Sequence, residues 1–175
     1  MKILCLLLSH FSFSCEVLRN RAAKDRSVVI THGSGSQKLV LDNSPKLDGL
    51  QRDIPIQQAL AQHGEAELLP ADIPYYRTIF NGLLDALEGV SPLVEGAELD
   101  CAYIGVDGLQ LIYPDDESLI DAVFRVMPDV FVPQVGMAGN KFLAYLTAHR
   151  YPPGQIRMCY YGTLYKIGGD PVSNS

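Results

Sequence analysis

The sequence predicts an α+β protein: a mixed or antiparallel sheet with helices packed on one face, plus a small α/β subdomain. Three observations lead there. After an opening strand and helix, the long elements run helix, strand, strand, helix, strand, helix, without the regular alternation of a doubly wound parallel fold. Residues 27–70 carry only short elements and read as an insert. The 175 residues, 47% hydrophobic and 19% charged, suffice for one sizeable core or a core with a small appended unit.

Residues 2–8, KILCLLL, form an apolar run of strand length without polar alternation, as in a strand buried on both faces. From His10 to Asn20, Phe11, Cys15 and Leu18 recur at helical spacing. Ser27–Thr31 is a second short strand, and HGSGS is a turn before the apolar Leu39, Val40 and Leu41. Asp42-Asn43-Ser44-Pro45 has the form of a helix entry and predicts a short helix ending near Gly49. Ile54-Pro55 opens another, with Ile56, Ala59 and Leu60 on one face and Gly64 at its end. Glu67-Leu68-Leu69 is a brief strand. From Ile73 to Glu88, Tyr76, Ile79, Phe80, Leu83, Leu84 and Leu87 mark an amphipathic helix.

Ser91–Gly105 follows as a strand and hairpin edge, with Leu109–Tyr113 expected as a second arm around Asp107-Gly108. Asp115, Asp116 and Glu117 suit the first turn of a helix carrying Leu119, Ile120, Val123, Phe124 and Met127. A strand over Phe131–Gly136 and a helix over Asn140–His149 complete the ordered part. The Pro- and Gly-rich residues from Tyr151 onward read mostly as loop, and residues 159–175 as an irregular tail.

Fourteen Lys and Arg against twenty Asp and Glu give a net charge of −6, the wrong sign for a chain whose affinity rests on neutralising many phosphates. Only Arg19–Arg26 clusters basic residues, and a solvated helix end accounts for it equally well. Cys5, Cys15, Cys101 and Cys159 follow no ligand spacing and read as reduced core cysteines of a cytoplasmic protein. The apolar run Ile3–Leu8 is shorter than the roughly 7–15 residues of a signal-peptide core, and no run approaches the ~20 of a membrane helix.

The carboxylates of Ser91–Gly105 (Glu95, Glu98 and Asp100) stand where an enzyme handling Mg²⁺ and phosphates would place acids. Three separated segments then carry a resemblance. Ser44-Pro45 through Ile54-Pro55-Ile56-Gln57-Gln58-Ala59-Leu60 to Leu68-Leu69-Pro70 resembles the fingers of the Y-family (UmuC/DinB-type) translesion DNA polymerases. Tyr76–Glu95, ending in SPLVE, is similar to the helix and strand leading into their palm motif "SIDEAYLD". Val135–Ala148, VGMAGNKFLAYLTA, resembles their "VGIAxNKFLAKIAS" run and is the most specific of the three. The resemblance spans about residues 2–158. It implies a palm-like domain over 1–26 and 71–158, a fingers-like insert over 27–70, and no counterpart of the thumb and little-finger domains.

In that family two Mg²⁺ ions are held by an early "DMDxFFA" motif and the later Asp-Glu pair, one activating the primer hydroxyl and one neutralising the triphosphate. Aligned on Glu16, the early acids fall on Leu7 and Ser9. In the palm motif Asp100 keeps the aspartate position and Cys101 replaces the glutamate. The fingers arginine falls on Asp48, and the aromatic that excludes a ribose hydroxyl falls on Ser12. Lys141, beside Asn140, matches a palm lysine that the resemblance associates with the triphosphate.

One matching carboxylate cannot hold a dication that wants six oxygen ligands, so no metal cofactor is expected. The resemblance thus implies a catalytically degenerate, ImuB-like protein whose partner is another protein in a DNA repair or replication assembly, with weak or indirect DNA contact and no membrane. The alternative is a residual Mg²⁺-dependent nucleotidyltransferase in which Glu98 and Glu95 join Asp100. Plainer readings stand beside these roles: Asp100 as a solvated hairpin acid, Asn140 and Lys141 as a helix start, Tyr103 as core. Ser9 and His10 lack the glycine pattern of a nucleophile elbow.

Overall fold

The computed structural model describes residues 1–150 and the strands Ile156–Tyr160 and Thr163–Lys166. In chain order the elements are β1 (Ile3–Ser9), α1 (Phe11–Arg19), β2 (Val28–His32), β3 (Leu39–Asn43), α2 (Ile56–Gln62), β4 (Glu67–Pro70), α3 (Ile73–Glu88), β5 (Val94–Glu98), β6 (Cys101–Gly105), α4 (Asp116–Arg125), β7 (Val132–Ala138), α5 (Lys141–His149), β8 (Ile156–Tyr160) and β9 (Thr163–Lys166). They form two compact units, residues 1–9 with 80–175 and residues 10–79.

The first unit is built on a six-stranded sheet of order β5-β6-β1-β7-β8-β9. β1 runs antiparallel to both neighbours, β7 and β8 are parallel, and β8 and β9 are antiparallel, so the sheet is mixed. The unbroken apolar run of β1 explains its central place. Leu4 and Leu6 are buried on one face, while Ile3, Cys5 and Leu7 are buried on the other. Ile3, Cys5 and Leu7 pack with Cys101, Ala138, Ala144 and Ala148, which seats α5 on their face. Gly136, paired with Cys5, permits this contact, because a Cβ there would overlap the backbone of Ala144 and Ala148. Gly96, paired with Ala102 and hence on the Leu6 face, lies beneath Leu84 and Phe80 of α3. Helices therefore cover both faces of the sheet. The reason is β1 itself, whose two apolar rows each need a cover.

Two expectations are corrected in this unit. Leu109–Tyr113 is not a strand. Gly108 adopts φ +86°, and the amides of Ile112 and Tyr113 both return to the Leu109 carbonyl at 2.9 and 2.8 Å, curling the chain into turns. Leu109 is buried while Leu111 is 99% exposed. The hairpin partner of β6 is β5, reached through Leu99 and Asp100. Nor is the tail irregular throughout, since residues 156–160 and 163–166 are strands, β8 adding to the edge of β7 and β9 pairing with β8. Residues 167–175 lie outside the described residues.

The second unit holds a three-stranded sheet, β3-β2-β4, with β2 and β3 antiparallel and β2 and β4 parallel. Val29, Val40, Leu47, Ile56 and Ala59 form its core. α1 and the start of α3 are tied together here. Tyr76 donates to Glu16 at 2.7 Å, and Arg19 pairs with Asp72 at 2.7 Å while stacking on Tyr75 at 3.9 Å. These bonds explain why the compact units break after residues 9 and 79, whereas the sequence division falls after 26 and 70. The helix expected from Asp42 to Gly49 does not form. Asp42 and Asn43 belong to β3, and the Asp42 carboxylate instead accepts the amide of Phe13 at 2.9 Å, capping the first turn of α1.

Candidate functional site

The residues that the sequence singles out divide between the two units. Leu7, Ser9, Glu95, Glu98, Asp100, Cys101, Asn140 and Lys141 share the first; Ser12 and Asp48 belong to the second. In the first unit, antiparallel register sets Leu7 of β1 opposite Cys101 of β6, and the Leu8 amide donates to the Asp100 carbonyl at 2.8 Å. The structure thus brings Leu7, Asp100 and Cys101 together at one end of the β1–β6 pair. Leu7 and Cys101 are 9% and 4% exposed and belong to the same apolar cluster. Ser9 lies beyond them on β1, and its hydroxyl donates to the Gln134 side chain at 2.8 Å. Glu98 is exposed, beside a register shift between Gly96 and Glu98.

Lys141 and Asn140 are placed elsewhere on this face. Asn140 caps α5, its side-chain oxygen accepting the Leu143 amide at 2.9 Å. The Lys141 ammonium pairs with Glu95 at 2.5 Å and lies 5.4 Å from the centre of the Tyr103 ring. Together with Ile3, Leu93 and Val94 they line an open cavity of about 270 Å³. Tyr103 is two residues along β6 from Cys101, so Lys141 stands towards the opposite end of the β1–β6 pair from Asp100.

Sequence reading missed Cys5 as a neighbour of Cys101. The two sulfurs are 3.9 Å apart, from diagonal positions on β1 and β6. The hydrogen bond between them and burial push the Cys5 thiol far above its ordinary range, while the same bond lowers that of Cys101. Burial and the nearby Cys101 raise the Tyr103 hydroxyl to about 12. Only the period-two alternation of β1, combined with its register against β6, could have signalled this pair.

In the second unit Ser12 is buried in the first turn of α1, and the Asp48 carbonyl lies 3.3 Å from a ring nitrogen of His63. Another feature had no sequence signal: His10 adopts φ +50°, uncommon outside glycine, and its ring nitrogen meets buried Asp42 at 3.1 Å.

The donor set at Leu7, Asp100 and Cys101 does not fit Mg²⁺. Leu7 offers no ligand, Cys101 a soft sulfur, Ser9 a hydroxyl already bonded to Gln134, and Asp100 the one carboxylate among these positions. Among the described residues no group of three or more His, Cys, Asp and Glu converges on one point.

The six-stranded palm-type sheet with a small three-stranded unit is the architecture of the Y-family DNA polymerases. DinB from Sulfolobus solfataricus superposes with a TM-score of 0.76 at 23% identity, over 91% of this chain and 48% of that one. A post-insertion binary complex of Dbh DNA polymerase gives 0.79 at 21% identity, over 92% of this chain and 49% of that one. The chain belongs to the impB/mucB/samB family, whose pattern matches residues 6–149. It is also 24% identical over 151 residues to DNA polymerase IV 1 of Halalkalibacterium halodurans, a match covering 83% of this chain and 36% of that protein. The chain therefore spans about a third of that relative and about half of the solved structures.

Proposed function

We propose that this chain is a catalytically inactive Y-family polymerase-like protein that serves as an adaptor in DNA damage tolerance, binding a protein of a repair or replication assembly. The observation that carries the reading is the buried Leu7–Cys101 pair, apolar and soft at two positions where the family resemblance expects carboxylates. Transition-state charge stabilisation is worth several kcal/mol per group, and each ~1.4 kcal/mol is tenfold in rate, so their replacement removes the basis for nucleotidyl transfer. On this reading the palm takes residues 1–26 and 71–158 and the fingers 27–70. Asp100 is a remnant of the catalytic set. Any contribution of Lys141 to nucleotide binding must compete with its Glu95 ion pair.

The net charge of −6 supports weak or indirect DNA contact. Among the described residues no helix is long and apolar enough to cross a membrane; a cytoplasmic location is part of the proposal. Single-nucleotide incorporation on a primer-template, with Mg²⁺ or Mn²⁺, tests the inactive reading. The expected result is no extension by the wild type or by Asp100→Ala. Extension by the wild type that disappears in Asp100→Ala would favour the residual nucleotidyltransferase.

A further inference from the structure

Beyond β6 the chain carries an apolar projection that its own fold does not use. Leu111 is 99% and Ile112 66% exposed, although Leu109 just before them is buried. The turn that presents them is fixed at both ends. Gly108 takes φ +86°, the Leu109 carbonyl accepts the amides of both Ile112 and Tyr113, and Asp115 caps α4 directly afterwards. Side chains already held in place lose little freedom when a partner covers them. The same unit carries an apolar recess. Ile3, Leu93, Val94 and Tyr103 line the open cavity of about 270 Å³, and of these Leu93 is 65% exposed. An apolar cavity of about 150 Å³ takes up a benzene ring, so this one has room for two aliphatic side chains. Its charges are answered within the chain, Lys141 by Glu95, Lys2 by Asp116, and the Asp107 carboxylate by the Lys2 amide. The recess therefore suits an apolar occupant better than an ionic one.

We propose that the occupant is the turn of a second copy of this chain, with Leu111 and Ile112 of each protomer entering the cavity of the other. A patch complementary to a pocket elsewhere on the same molecule drives self-association, which ends in a closed pair when the exchange is reciprocal and in an open chain when it is not. Reciprocity follows here from proximity. Asp107 lines the cavity and begins the turn, and Lys2, also in the lining, pairs with Asp116 just beyond the turn. Projection and recess lie side by side, so one two-fold axis between them serves both contacts. Covering four aliphatic side chains makes a small interface, near the lower end of specific complexes at ~1,200 Å². The dimer is accordingly reversible, with a dissociation constant in the micromolar range. The net charge of −6 on each copy opposes the contact through a repulsion that salt screens, so the dimer tightens as salt is added. This association is independent of the adaptor role.

The test is sedimentation equilibrium of the whole chain under reducing conditions, from low micromolar to submillimolar concentration, with near-ultraviolet circular dichroism as the fold control. The wild type should pass from one-chain to two-chain mass, more readily at ~0.5 M than at ~0.05 M salt. Leu111→Asp and Ile112→Asp, both at exposed positions, should weaken the dimer by at least about tenfold, and so should Leu93→Asp on the cavity side. A mixture of Leu111→Asp with Leu93→Asp keeps one intact turn facing one intact cavity, and should associate more tightly than either variant alone. Monomer at every concentration, a dimer unchanged in Leu111→Asp, mass that climbs past two chains, or a dimer loosened by salt would each overturn the proposal. Loss of the dimer in both turn variants with Leu93→Asp unaffected would overturn it too, because turn would then be meeting turn.

Discussion

Leu7 and Cys101 face one another across the antiparallel β1–β6 pair, both buried and both part of the cluster that α5 covers. Carboxylates at these places would need solvent or a cation to offset their charge. The packing of Leu7 and Cys101 against Ala144 and Ala148 supplies neither. If the site has lost its acids to packing, returning them should exchange stability for metal affinity. Leu7→Asp combined with Cys101→Glu is expected to lower the unfolding free energy by about 3–5 kcal/mol without metal, and to recover part of that loss when Mn²⁺ is added. Urea denaturation with and without Mn²⁺ measures both effects. A stability cost that Mn²⁺ leaves unchanged would mean that the remaining scaffold can no longer assemble a site.

The His10–Asp42 pair makes stability depend on pH in a stated direction. The Asp42 hydrogen bond raises the folded His10 pKa above its ordinary 6.5, against an opposing contribution from burial. A group raised in the folded state contributes stability that is fully present below its unfolded pKa and is lost as pH rises through the folded value. The urea midpoint of the wild type should therefore fall as pH rises from about 6.5 through the raised folded pKa. His10→Asn, which tolerates the left-handed backbone, should show a flatter profile. Equal slopes would assign no role to the pair.

The turns after β6 predict opposite behaviour from two neighbouring leucines. Leu109 is buried and Leu111 is 99% exposed. Leu109→Ala should cost about 2–5 kcal/mol, and Leu111→Ala should stay within about 0.5 kcal/mol. A strand across Leu109–Tyr113 would place both residues on the same face, and the two substitutions would then have comparable effects. Thermal or urea unfolding of the two variants separates these outcomes.

Local signals made much of this architecture readable. The spacing of Tyr76, Phe80, Leu83 and Leu87 gives α3, and the run Ile3–Leu8 gives a strand buried on both faces. The Asn140 cap is likewise visible in the segment VGMAGNKF. What failed depended on partners distant in the chain. Asp42 looks like a helix cap for the residues after it, but it caps α1 from β3. Leu109–Tyr113 has strand composition, yet β6 already pairs with β5 and β1. The proximity of Cys5 and Cys101 depends on strand register, which neither segment contains alone. The positions of Leu7 and Cys101 could be read as departures from a family pattern, and their facing one another could not.

The most direct measurement of the central claim is a calorimetric titration of the wild-type chain with dATP in the presence of Mn²⁺. The proposed loss of the metal site predicts no saturable heat up to millimolar nucleotide. Saturable, Mn²⁺-dependent binding that disappears in Asp100→Ala would contradict it, showing that Asp100 still anchors a working site.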